Sequence, residues 1–186
     1  MSLLNPFKNI KRSRTLANGT SPFMVLSGGK IQTSTVVDAN KAFRNSDVFA
    51  VVQRISSDIA SCSFNGQQYQ TLLNNPFKLM NPYAGWQSVF IQLLLNGNAY
   101  VVMHENKKHL VTQFEPIPSD NVQLTLTDDA EDIIYTVHYN DERNDEDIPS
   151  NRMLHFKLVT PGMDENQYTG VSPLISLVPE LGIQDN

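Results

Sequence analysis

The residues best suited to chemistry are four histidines, one cysteine and two acid-rich runs. His104, His109, His138 and His155 all fall on strand-like stretches or at their ends. A zinc site needs ligands at a spacing such as His-x-x-x-His or Cys-x-x-Cys, which puts both on one face of a turn; neither pattern occurs. His155, between Leu154 and Phe156, reads as a core or edge histidine satisfied by its neighbours. Cys62 has no histidine legible beside it to draw off its proton, and it reads as a small buried hydrophobe near a helix end. The acidic runs are Asp128–Asp132 and Asp141–Asp147. A catalytic carboxylate pair must converge in a partly desolvated cleft, whereas charge-dense loops stay in water. Both runs also lack the mid-loop glycine and closing glutamate of a calcium loop. Gly28-Gly29-Lys30 lacks the leading glycine and the following Ser or Thr of a phosphate loop. No catalytic, metal or cofactor site is legible, so the chain reads as a non-enzyme.

Composition narrows the class. At 186 residues, 40% hydrophobic and 18% charged, the chain is long enough and apolar enough for one globular domain with extensions. No apolar run approaches the roughly 18 residues of a membrane span, so no membrane role is expected. A single cysteine excludes an internal disulfide framework and fits a reducing compartment. The net charge of −5 conceals two halves. Residues 1–44 carry 7 Lys/Arg against 1 Asp; residues 45–186 carry 7 Lys/Arg against 18 Asp/Glu. The acidic body argues against ordinary duplex binding, which needs a basic surface. Lys8, Lys11, Arg12 and Arg14 lie in a segment read as a flexible, basic N-terminal extension with at most one short strand, ending at Gly28-Gly29.

The elements behind this pattern centre on Trp86–His104. Trp86, Val89, Phe90, Leu93 and Leu94 recur at helical spacing, and Ala99–His104 is rich in β-branched and aromatic residues. Gly97 between them supplies a left-handed cap that lets a helix turn at once into a strand. Asn98, Tyr100 and Trp86 then need partners for their polar atoms inside a core. Upstream, Ser46-Asp47 reads as the cap of an amphipathic helix with Val48, Val52, Ile55 and Ile59 as its apolar stripe. A short helix should end near Asn75, because the residue before a proline leaves helical space. Downstream, strands are expected over 99–104, 109–114, 122–126, 133–139 and 152–159. Pro116 and Pro118 should block pairing between the second and third, and 140–147 reads as a loop. The expected class is α+β, a mostly antiparallel sheet of about five strands packed on amphipathic helices. Ser172-Pro173 opens a last helix, with Pro173 at its first position and Pro179 as an interruption. The chain ends two to three turns into it, which points to a longer protein.

The order of landmarks says more than any one of them. Val52-x-x-Ile55-Ser-x-x-Ile59-Ala60 is followed by Leu72-Leu73-Asn-Asn-Pro-Phe, Asn81-Pro82-Tyr83 and Leu95-Asn96-Gly97-Asn98-Ala99-Tyr100. Then come Pro116-Ile117-Pro118, Met153-Leu154-His155-Phe156 and Gly170-Val171-Ser172-Pro173-Leu174. This series resembles the portal proteins of tailed bacteriophages, in the branch named after phage Hong Kong 97, from about Val48 to Leu181. The resemblance implies a ring subunit, usually one of twelve copies, at one capsid vertex. Such a ring passes double-stranded DNA without sequence specificity, docks the large terminase subunit, meets capsid, scaffold and tail-connector proteins, and has no catalytic residues. It implies a virion location, with the host cytoplasm during assembly. Residues 45–171 would be a wing-like domain and 172–186 the start of a stem helix, with clip and crown beyond this chain. Leu95, Gly97, Asn98, Ala99, Tyr100, Pro116, Pro118, His155, Gly170, Ser172 and Pro173 would be the family's structural signature. The competing reading is a non-portal intracellular module that binds a protein partner through a sheet edge or an acidic loop.

Overall fold

A computed structural model describes residues 12–15, 24–27, 30–33, 45–127, 132–139, 141–158 and 168–174 of the chain. Helix α1 (Ser46–Ala60) is capped by Asn45, whose Oδ1 accepts from Asp47 N at 3.0 Å and Val48 N at 3.3 Å. The cap is therefore one residue earlier than Ser46-Asp47. Asn45 wins because its short side chain reaches the orphan amides of the first turn while its own backbone stays extended. The buried line is Val48, Val52, Ser56 and Ala60. Ile55 and Ile59, assigned to the core stripe from spacing, are 40% and 37% exposed. The inward face is rotated toward the small residues Ser56 and Ala60, which let a neighbouring helix approach. Cys62 is exposed, contrary to its reading as a buried hydrophobe, because it lies past the helix end.

Helix α2 (Gln70–Asn74) ends before Asn75-Pro76 as expected. Helix α3 (Pro82–Asn96) starts with Asn81 capping Ala84 N at 2.8 Å and Pro82 in its first turn. It ends at Gly97, whose φ of 74° is the left-handed cap expected there. Strand β4 (Asn98–Glu105) follows with no intervening loop.

Strand β4 is the centre of the fold. It pairs antiparallel with β5 (Val111–Ile117) on one side and β9 (Met153–Lys157) on the other. Strands β6 (Val122–Thr127), β7 (Ile133–Val137) and β8 (Glu146–Pro149) form a second antiparallel sheet. Strand β1 (Arg12–Thr15) pairs with β6 on its other edge. Strands β2 (Met24–Ser27) and β3 (Lys30–Thr33) form a separate hairpin. The strand expected before Gly28-Gly29 is β2; β1 and β3 carried no period-two signal.

The class is thus α+β with antiparallel sheets, but the strands from β4 onward lie in two sheets rather than one meander. The break falls at Pro118, where a single 3-10 turn, Ser119–Asn121, redirects the chain between β5 and β6. Pro116 does not end β5; it pairs in register with Val101. An edge strand tolerates proline because the missing N–H can face away from the ladder. Glu146–Pro149, read as the tail of an acidic loop and its sequel, is strand β8, anchored by fully buried Ile148. His109 is in the β4–β5 turn at φ 58°, not on a strand.

Alternation along β4 builds two cores. Tyr100 and Val102 face the second sheet, packing with Ile117, Leu124, Tyr135 and Ile148. Ala99 and Val101 face the helices, with Trp86, Val89 and Phe77. The Trp86 ring lies within 6.4 Å, centroid to centroid, of Phe64, Phe77, Phe90, Phe114 and Phe156. A strand covered on both faces must be apolar throughout, which is why Ala99-Tyr100-Val101-Val102 shows no polar alternation. A third cluster joins Val48 and Val52 of α1 to Leu174.

Candidate functional site

The residues singled out by the resemblance come from four separate segments, and the fold brings most of them to one junction. Gly97 closes α3, and its carbonyl accepts from Leu158 N at 2.9 Å, just past β9. Here the segment 168–174 crosses the elbow at backbone contact. A Cβ on Gly97 would sit 2.3 Å from the Val171 carbonyl carbon, and a Cβ on Gly170 would sit 2.1 Å from Gly97 O. Only two glycines allow the two backbones to meet so closely.

Asn98 bolts the junction together. Its Oδ1 accepts from Gly170 N at 2.6 Å and from His155 Nε2 at 3.1 Å, and its Nδ2 donates to Gly170 O at 2.9 Å and Asn96 O at 3.2 Å. The Gly170 N–H can only donate, so the accepting atom of Asn98 is the oxygen. His155 therefore carries its proton on Nε2, and its Nδ1 accepts from the Tyr135 hydroxyl at 3.3 Å. Tyr100 covers the imidazole, with ring centroids 4.4 Å apart. Burial, then the positive charge of Lys157, pushes the His155 imidazole down to about 4. Burial, then Asp132, pushes the Tyr135 phenol up to about 12; burial, then Tyr135, raises that of Tyr100 further still. All three groups are neutral at neutral pH. The network holds the backbone at Gly170 against Asn98.

Ser172 Oγ donates to Leu95 O and accepts from Leu174 N, capping the turn at Pro173–Leu174 while tying it to the end of α3. Ser119 Oγ donates to Asn98 O at 2.9 Å, and its N–H donates to Gln92 Oε1 at 2.9 Å. Ala99 is buried against the helices. Pro118 precedes the Ser119 turn and Pro116 sits in β5, so both stand apart from the Asn98 network. The course of the chain beyond Leu174, including Pro179, lies outside the described residues.

Spacing alone did not single out Ser119, Gln92 and Tyr135. A signal existed for Gln92, a lone amide in the apolar run Phe90-Ile91-Gln92-Leu93, and for Ser119 directly after Pro118. Of the polar tips that needed partners, Asn98 has four bonds, whereas Trp86 Nε1 and the Tyr100 hydroxyl have no hydrogen-bond partner among the described residues.

In the acidic stretch 141–147, Asp141 pairs with Arg143, Asp145 with His138 at 2.8 Å and Glu146 with Arg152 at 3.8 Å. Arg143 bridges Asp141 and Glu115 Oε1, each at 2.8 Å, and lies 3.7 Å above the Tyr139 ring. Glu115 Oε2 also meets His104 Nε2 at 2.7 Å. Hydrogen bonds from Arg143 hold the Asp141 carboxyl below its ordinary range. Among the described residues, no three His, Cys, Asp or Glu side chains converge as metal ligands, and no helix is long and apolar enough to cross a membrane.

Comparison with known proteins bears on family and fold. The model of the family described as phage portal protein matches residues 46–186. No curated protein matches the chain. Among solved structures, a chain in the neck of a native gene transfer agent particle, computed with C12 symmetry, superposes with a TM-score of 0.61 at 18% identity, over 78% of this chain and 41% of that one. A chain of the virion of a native gene transfer agent particle gives 0.64 at 19% identity with the same coverage. One from the neck of an empty gene transfer agent particle, computed with C6 symmetry, gives 0.61 at 17% over 88% of this chain and 47% of that one. The chain thus spans less than half the length of these solved chains.

Proposed function

Because the chain belongs to the phage portal protein family, we propose that it is a structural subunit of a portal ring at one vertex of a capsid. The family match over residues 46–186 carries this reading, and the shared fold with neck chains of symmetric particles supports it. The ring, of twelve copies in this reading, encloses the channel for double-stranded DNA. It presents docking surfaces to the large terminase subunit and to capsid, scaffold and tail-connector proteins. We place the chain within the Hong Kong 97 branch, with residues 45–171 as the wing, 172–186 as the start of the stem and the basic residues of 1–44 toward neighbouring subunits or the capsid. It acts in the virion after assembly in the host cytoplasm, and performs no catalytic step; energy for packaging comes from the terminase.

The acidic body suits this role. A channel that must let DNA slide gains nothing from the phosphate contacts that make binding tight and salt-dependent. The Asn98 junction suits it too, since a buried, neutral polar network holds residues 168–174 against the end of α3 and the start of β4. The test is genetic. Particles assembled without this gene product should form capsids that hold no DNA, with packaging restored by the intact gene. Normal DNA content in its absence contradicts the proposal and favours a protein-binding module outside the capsid.

A further inference from the structure

Among the exposed apolar side chains of the described residues, two unlike features stand out. The first is a line on the outer side of α1, Val51, Ile55 and Ile59, 58%, 40% and 37% exposed. Residues four apart stack along one helix face, so the line runs for about 12 Å at 1.5 Å per residue. The second is Leu79, 91% exposed. It does not hang on a loose loop. On one side Pro76 and Phe77 are buried, Pro76 O accepts from Phe114 N at 2.7 Å, and Phe77 bridges to Phe114 of β5. On the other, Asn81 caps α3. Three residues, Lys78–Met80, thus project between two anchored ends, with Leu79 as an apolar knob held in place before any partner arrives. A pre-positioned anchor of this kind loses little freedom on binding.

We propose that Leu79 of one copy seats on the Val51–Ile55–Ile59 line of α1 in the next copy. The inference rests on the reading of this chain as a ring subunit and names a contact between neighbours. A knob and a line on the same molecule make a head-to-tail contact, the type that repeats around a ring until it closes. The flanking charges match. Lys78 stands beside the knob, and exposed Asp47 continues the 51–55–59 line one turn earlier, while Asp58 and Arg54 neutralise each other at 2.9 Å.

Cross-linking of the intact protein tests it. In a Cys62→Ser background, Leu79→Cys and Ile55→Cys are made singly and together, then treated with a short bismaleimide. The doubly substituted protein should give a ladder of dimers, trimers and larger species; each single variant should stay monomeric on a denaturing gel. Ile55→Lys should abolish ring formation while leaving the circular-dichroism spectrum of the folded subunit unchanged. Rings by electron microscopy with no ladder, or dimers from either single variant, overturn the contact but leave the ring reading intact. A ladder without closed rings supports the contact and contradicts the ring. Neither ladder nor rings removes both.

Discussion

Gly97 carries the sharpest consequence of a single position. Any side chain there must hold a φ of 74° and drive its Cβ to 2.3 Å from Val171 backbone. A β-branched residue is the worst choice for the left-handed region. Gly97→Val should therefore cost about 3 kcal/mol or more, by backbone strain and displacement of the crossing segment. Thermal unfolding checks this, and a variant that melts like the wild type contradicts it. Asn98→Ala should cost about 2–4 kcal/mol, because it strands the buried Gly170 N–H and the His155 Nε2–H without acceptors. His155 adds a pH dependence. Its imidazole titrates near 4 in the fold against an ordinary value of 6.5, so the unfolded chain takes up the proton first as pH falls. Stability is unaffected by this group above about pH 6.5 and is lost progressively from 6.5 down to 4, by at most about 3 kcal/mol. Denaturant melts at pH 7 and pH 4.5 should show the loss, and His155→Gln should shrink it. At this scale the sequence was legible in part. Gly97 declared its left-handed cap, and Asn98 declared that it needed partners. The identity of those partners was not legible, because Gly170 is 72 residues from Asn98 and His155 is 57 away.

Elements were legible where periodicity was strong and misread where tertiary contacts chose between faces. The spacing of Val48, Val52, Ile55 and Ile59 gives a helix, but it cannot say which edge of a broad apolar stripe turns inward. Burial of Ser56 and Ala60 settles that the inner line is Val48–Val52–Ser56–Ala60. Val52→Ala should therefore destabilise by about 1–2 kcal/mol, whereas Ile55→Ala should move the unfolding midpoint by under about 0.5 kcal/mol; equal losses would refute the assignment of faces. Strand β8 was hidden because Glu146 and Asp147 are exposed on a sheet edge, where charge is tolerated and even protective. The split into two sheets was hidden because hairpin-length loops look alike whether a strand continues a sheet or starts another. Pro118 marked the break, but Pro116 masked it.

At the scale of the whole molecule, three layers converge on β4: helices, the β5–β4–β9 sheet and the β6–β7–β8 sheet with β1 at its edge. The junction of Gly97, Asn98, His155 and Gly170 joins the helix layer, the middle sheet and the segment 168–174. The most direct measurement is electron microscopy of the purified protein at high concentration, with rotational averaging. Rings with an open centre wide enough for a DNA duplex are the expected result. Monomers alone, or closed assemblies without a central hole, would contradict it.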